Sequence, residues 1–151
     1  MTLVIAFARL VDLTSLNLET IYGSFFTASV GFGTWVLGLA IHLVVSGLVA
    51  QVYSFGFQLF DRFGPSVGAS FGFIHWLLAG IGLGIFTNAH PAIPNLIIPP
   101  GYFAMNLGGA SMLVFLLAHL GYGALVGLIH PPSTRDRMKL LDEDAALEGA
   151  A

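Results

Sequence analysis

Between Tyr22 and His130 the chain carries two formal charges, Asp61 and Arg62, and they are adjacent. A water-soluble domain covers itself with charged side chains, so a stretch this long without them has to face hydrocarbon. Within it, residues 27–57, 66–86 and 102–130 are each long enough to cross a bilayer core, which takes about 20 apolar residues in a helix. These spans predict an all-α membrane protein, an antiparallel bundle of three full transmembrane helices plus an N-terminal partial or truncated helix. Residues 1–132 are expected to form the transmembrane domain and residues 133–151 a charged cytoplasmic tail.

The N-terminal run, residues 1–11, is apolar but short. As a helix it measures roughly 17 Å at 1.5 Å per residue, against about 30 Å of hydrocarbon. Its basic residue, Arg9, follows the apolar run, whereas a secretory signal places basic residues first. Two readings stay open: a half-helix held in the membrane by its neighbours, or a chain whose start lies upstream of Met1. Arg9 and Asp12, three positions apart, are expected to pair on one helical face. Residues 12–19, with Thr14, Ser15 and Asn17, read as an interfacial turn.

Each long span carries one central histidine, His42, His75 or His119. At 100° per residue, Gly31, Trp35, Gly38, Ser46, Tyr53 and Gly56 share the face of His42. Gly68, Gly72, Ala79 and Gly82 share that of His75, while Gly80 and Gly84 lie opposite, which predicts a central helix approached from two sides. Gly108, Met112, Phe115, Gly123 and Val126 share the face of His119. Gly68 with Gly72, and Gly123 with Gly127, are small-xxx-small steps of the kind that let membrane helices approach closely. Asp61, Arg62, Gly64 and Pro65 make a tight turn between the first two spans. The connector 88–101, with Pro91, Pro94, Pro99 and Pro100, cannot form a regular helix and is expected across the mouth of the bundle.

Charge orients the chain and removes several functions. Four of the five basic residues, Arg62, Arg135, Arg137 and Lys139, fall on the side of the 61–65 turn and the tail. The positive-inside rule therefore places the tail in the cytoplasm and the 88–101 connector outside, with His90 at the outer surface and His130 at the inner one. Ser133 and Asp136 resemble a capping box opening a short exposed helix. A net charge of −3 without a basic patch argues against nucleic acid as a partner. The absence of cysteine excludes disulfides, thiolate metal sites, iron–sulfur ligation and covalent c-type haem. The expected partners are the lipid bilayer and either further copies of the chain or a larger membrane complex.

The runs His75-Trp76-Leu77-Leu78-Ala79-Gly80, His90-Pro91 to Pro99-Pro100-Gly101, Asn106-Leu107-Gly108-Gly109 and His119-Leu120-Gly121-Tyr122-Gly123 resemble a family of small, uncharacterised prokaryotic membrane proteins. The likeness covers roughly residues 35–130. It implies a four-helix fold in a prokaryotic inner or plasma membrane, often with a complete extra helix at the start, and brings no activity with it.

An ionisable ring in hydrocarbon is costly without a partner or a task. For His42, His75 and His119 three readings stand beside one another. Each ring can make one interhelical hydrogen bond, worth about 1 kcal/mol. Two facing imidazoles can ligate haem. The three together can bind a transition metal or carry protons, although the spans hold no carboxylate, which proton and cation carriers usually have. Ser46 and Ser111 have no general base in sequence context, Met105 and Met112 read as packing, and no phosphate-binding loop is present, so no catalytic residue is assigned. The expected function is that of a non-enzymatic structural or accessory membrane subunit. The alternative is a haem- or metal-binding redox or transport component using His42, His75 and His119.

Overall fold

The structure is a computed structural model that describes residues 1–130 together with Met138 and Asp142. The tail and the capping box at Ser133 lie outside the described residues. Among the described residues three helices are long and apolar enough to cross a membrane: α3 (Phe32–Phe60), α4 (Pro65–Thr87) and α5 (Gly109–Ile129). Two short helices precede them, α1 (Thr2–Leu10) and α2 (Leu18–Thr27). At 9 and 10 residues, each is only about half a bilayer core in length.

Local sequence sets the breaks. Asp61 at φ 49° and Gly64 at φ 107° turn the chain after α3, and Pro65 opens α4 at the position where its missing N–H costs nothing. The first span begins later than the sequence suggests. Ala28 at φ 48° and Gly31 at φ 149° separate α2 from α3, and the hydroxyls of Thr27 and Ser29 each lie 3.1 Å from that of Thr34 across the bend. The third span is also shorter than expected. Gly101, Phe103, Ala104 and Gly108 all have positive φ, so Tyr102–Leu107 forms a separate 3-10 segment ahead of α5.

Residues 12–17 form a non-helical turn before α2, with Asp12, Leu13 and Ser15 exposed, but the segment is less polar in its surroundings than expected. Thr14, Leu16, Leu18 and Glu19 are buried, and from Leu18 onward the chain is already helical. Asn17 starts α2 by accepting a hydrogen bond from the Thr20 N–H at 3.0 Å. Arg9 reaches past Asp12 to Glu19 instead, with Nη1 3.0 Å from Oε2.

Glycines set how closely the helices approach. A Cβ on Gly68 would overlap the Gly123 carbonyl oxygen, one on Gly123 would overlap that of Gly68, and one on Gly127 that of Gly64. α4 and α5 therefore touch backbone to backbone. α2 lies on α3 in the same way, with Gly23 against the Thr34 carbonyl and Gly38 against that of Glu19, and this order of contacts makes the two helices antiparallel. The other side of α4 receives the 3-10 segment, with Phe103 over Gly80 and Tyr102 over Gly84. Between α3 and α4 the packing is made by rings instead: Phe71 lies 5.5 Å from Tyr53 and 5.1 Å from Phe57.

Two apolar clusters result. Ile5, Leu16, Leu18, Ile21, Ala104, Phe115 and Ala118 fill the end where α4 finishes and α5 begins. Tyr53, Phe57 and Val126 fill the other. Connector 88–101 closes the first end and does not leave His90 on the surface. His90 is 3% exposed, accepts the Ala92 N–H at Nδ1, and its Nε2–H donates to the Ile21 carbonyl at 2.8 Å. Leu43, Val44, Leu48, Val52, Leu78, Leu117 and Leu128 face outward and exposed, as a lipid-contacting surface requires.

Replacing Gly123 by Leu should force α4 and α5 apart and destabilise the fold by at least the ~1–3 kcal/mol of an overpacked core. A Cβ on Gly47, inside α3, would meet nothing within 4 Å; Gly47→Ala should therefore leave stability equal or higher, since alanine suits a helix interior better by about 0.5–1 kcal/mol. Denaturant unfolding in detergent micelles, followed by circular dichroism, distinguishes the two.

Candidate functional site

Glu19 is wholly buried, at 0% exposure, in the first turn of α2. Helix α2 can sink its first turn this deeply because Gly38 of α3 presents no side chain there. The free N–H groups of that turn favour a negative charge, and Arg9 supplies the counter-charge. Its Nη1 donates to Glu19 Oε2 at 3.0 Å and to the Leu16 carbonyl at 3.2 Å. Glu19 Oε1 has no hydrogen-bond partner and lies 3.9 Å from His42 Nδ1. A carboxylate thus joins the intramembrane histidines, although none belongs to the spanning helices.

His42 is 2% exposed. Its Nδ1 is 3.1 Å from the Thr2 hydroxyl of α1, its Nε2 has no partner, and its ring centre lies 5.6 Å from that of Tyr22. His119, at 0% exposure, has Nδ1 2.8 Å from the Phe115 carbonyl one turn earlier. A carbonyl only accepts, so Nδ1 carries the proton and Nε2 of the neutral ring keeps its lone pair. That Nε2 is buried and unpartnered. His75 stands edge to face with His119, 4.6 Å between ring centres, and its Nδ1 is also without a partner. Tyr53 lies 6.1 Å from His75 with its hydroxyl unpartnered, and Tyr122 lies 5.8 Å from Tyr53 and donates its hydroxyl to the Ser46 carbonyl.

The three histidines of the sequence reading are therefore distributed over two groups. His75 and His119 meet ring to ring, whereas His42 belongs with Thr2, Glu19 and Tyr22, within electrostatic range of the other two. Among the described residues no group of three or more His, Asp or Glu is placed to hold a metal ion. Sequence reasoning missed Glu19 and the inward turn of His90. For Glu19 the available signal was the Asn17 cap two residues earlier, which marks a helix start where a turn was expected.

Beside these groups lies a cavity of about 280 Å³, bounded by α2, α4 and α5 and lined by Ile21, Tyr22, Ala79, Gly82, Phe115 and His119 among others. Compared with protein-family models, curated proteins and solved structures, the chain matches none. The three apolar helices fit a polytopic membrane protein, and its interior holds an ion pair, three histidines and two tyrosines.

Breaking a buried ion pair from one side leaves an uncompensated charge and costs about 3–5 kcal/mol. Arg9→Met is expected to lose that amount in micellar unfolding. Adding Glu19→Gln should restore at least half of it, because the stranded charge is then gone. Equal stability of the single and double variants would show that the pair does not hold α1 against α2.

Proposed function

We propose that the protein is a non-enzymatic membrane component that binds protons and passes them through its interior, a transport role carried by Glu19 and the intramembrane histidines. The observation that carries this reading is the Glu19 carboxylate: fully buried, held at one oxygen by Arg9, and left open at the other 3.9 Å from His42. A buried polar atom without a partner costs on the order of 1–3 kcal/mol. Glu19 Oε1, His42 Nε2, His75 Nδ1, His119 Nε2 and the Tyr53 hydroxyl are all of this kind. A set of such atoms in one region is expensive as packing and useful as a row of sites that accept or release a proton.

In this reading the proton resides on Glu19 Oε1 or on His42, with the Thr2 hydroxyl touching the imidazole at Nδ1. The unpartnered nitrogens of His75 and His119, beside Tyr53, form the next station. Arg9 stays on Glu19 Oε2 throughout and keeps the carboxylate in place. The closeness of α4 and α5 argues against haem between His75 and His119. Gly72 abuts the His119 carbonyl, and two axial imidazoles need the iron and its macrocycle between their rings.

Reconstituted into liposomes containing a pH-sensitive dye, the protein should dissipate an imposed pH gradient faster than protein-free vesicles. Glu19→Gln, whose amide oxygen can still accept from Arg9, should lower that rate at least tenfold, and His42→Phe comparably, in samples whose helical circular dichroism matches that of the wild type. A wild-type rate equal to that of empty vesicles removes the proposal.

A further inference from the structure

The cavity between α2, α4 and α5 has features that helix packing does not require. It is open on one side, and Gly82 of α4 stands in its wall, exposed, with nothing within 4 Å of where a Cβ would be. Unlike Gly68, Gly72, Gly80 and Gly84, this glycine admits no neighbouring backbone or ring; it leaves space. The wall is mostly apolar, from Ile21, Ala79, Leu83 and Phe115. Two hydrogen-bonding side chains interrupt it, Tyr22 of α2 and His119 of α5, and Met1, with its terminal amino group, also lines the cavity.

The chemistry of those two side chains is defined. His119 spends its only N–H on the Phe115 carbonyl, so its unpartnered Nε2 can only accept. Burial, and the Glu19 carboxylate nearby, push the Tyr22 phenol up, so it keeps its O–H and can donate. A hydroxyl group, which donates one hydrogen bond and accepts others, matches both; a ketone or an ether offers nothing to His119. Size narrows the class further. Benzene fills an apolar cavity of about 150 Å³, and the volume here, about 280 Å³, is near twice that.

We propose that this cavity is a binding site for a membrane-soluble aromatic alcohol of about two fused rings, whose hydroxyl donates to His119 and whose rings lie along Ala79, Gly82 and Phe115. The ligand enters past Gly82. This site shares the His119 nitrogen with the proton path but uses neither Glu19 nor Arg9, and binding is read without proton flux, so failure of one reading is distinguishable from failure of the other.

The test uses 2-naphthol as probe and 2-methylnaphthalene as a control of similar shape without the donor, in equilibrium dialysis against protein in micelles, with empty micelles subtracted. The wild type should bind 2-naphthol saturably and at least tenfold more tightly than 2-methylnaphthalene. Gly82→Phe, whose Cβ meets nothing within 4 Å and whose ring would occupy the entry, should abolish saturable binding while circular dichroism and gel-filtration volume stay unchanged. His119→Phe should remove the preference for the alcohol. No saturable binding of 2-naphthol, equal affinity for the two probes, or wild-type affinity in folded Gly82→Phe would each overturn the proposal.

Discussion

Two pairs of helices in this protein meet with no side chain between them: α4 with α5 at Gly68, Gly72, Gly123 and Gly127, and α2 with α3 at Gly23 and Gly38. In hydrocarbon there is little hydrophobic drive for one helix to leave lipid for another, so association depends on close van der Waals contact and on polar groups that find partners. Much of the remaining arrangement depends on these approaches. With α2 lying directly on α3, Glu19 is carried to the depth of Gly38 and beside His42; with α5 lying directly on α4, the rings of His75 and His119 meet.

The polar interior is unevenly satisfied, and the contrast separates holding groups from working ones. Arg9 fastens Glu19 and the Leu16 carbonyl, Thr14 fastens Ser111, and His90 fastens the connector to α2 through Nε2 while its Nδ1 takes the Ala92 N–H within the connector. These contacts complete the bonding of the atoms involved. His42, His75 and His119 each retain a ring nitrogen without a partner, as does one oxygen of Glu19. Low dielectric makes such vacancies costly, which is why they stand out as the chemically available part of the molecule.

Long, uncharged helices were legible because a span is a property of the chain itself: about 20 apolar residues and a break at each end. The Asp61 to Pro65 turn was equally plain, since glycine and proline act locally. What could not be seen depended on contacts between distant segments. Residues 12–19 look like a polar turn, and only the contact of Arg9 with Glu19, ten residues apart and closed by the fold, shows that Thr14, Leu16, Leu18 and Glu19 turn inward while Asp12, Leu13 and Ser15 stay exposed. Tyr102–Leu107 has a helical-looking composition, yet positive φ at Phe103 and Ala104 lets Phe103 and Tyr102 cover glycines of α4. For the histidines the sequence supplied interior faces, but not which ring would meet which: His75 and His119 meet through the close approach of α4 and α5, and the surroundings of His42 depend on a short helix, α2, that periodicity does not reveal.

The aromatic layer between α3 and α4 has a mechanical meaning. Tyr53, Phe57 and Phe71 touch through rings, and rings can slide over one another where interlocked backbones cannot. One body, α2 with α3, carries Glu19 and His42; the other, α4 with α5, carries His75 and His119. A small rocking of one body against the other would shift the Phe71 ring on Gly56 and the Tyr122 hydroxyl on the Ser46 carbonyl, and it would change the distance between the two halves of the polar interior. The seam made by side chains is therefore also the one that separates Glu19 and His42 from His75 and His119.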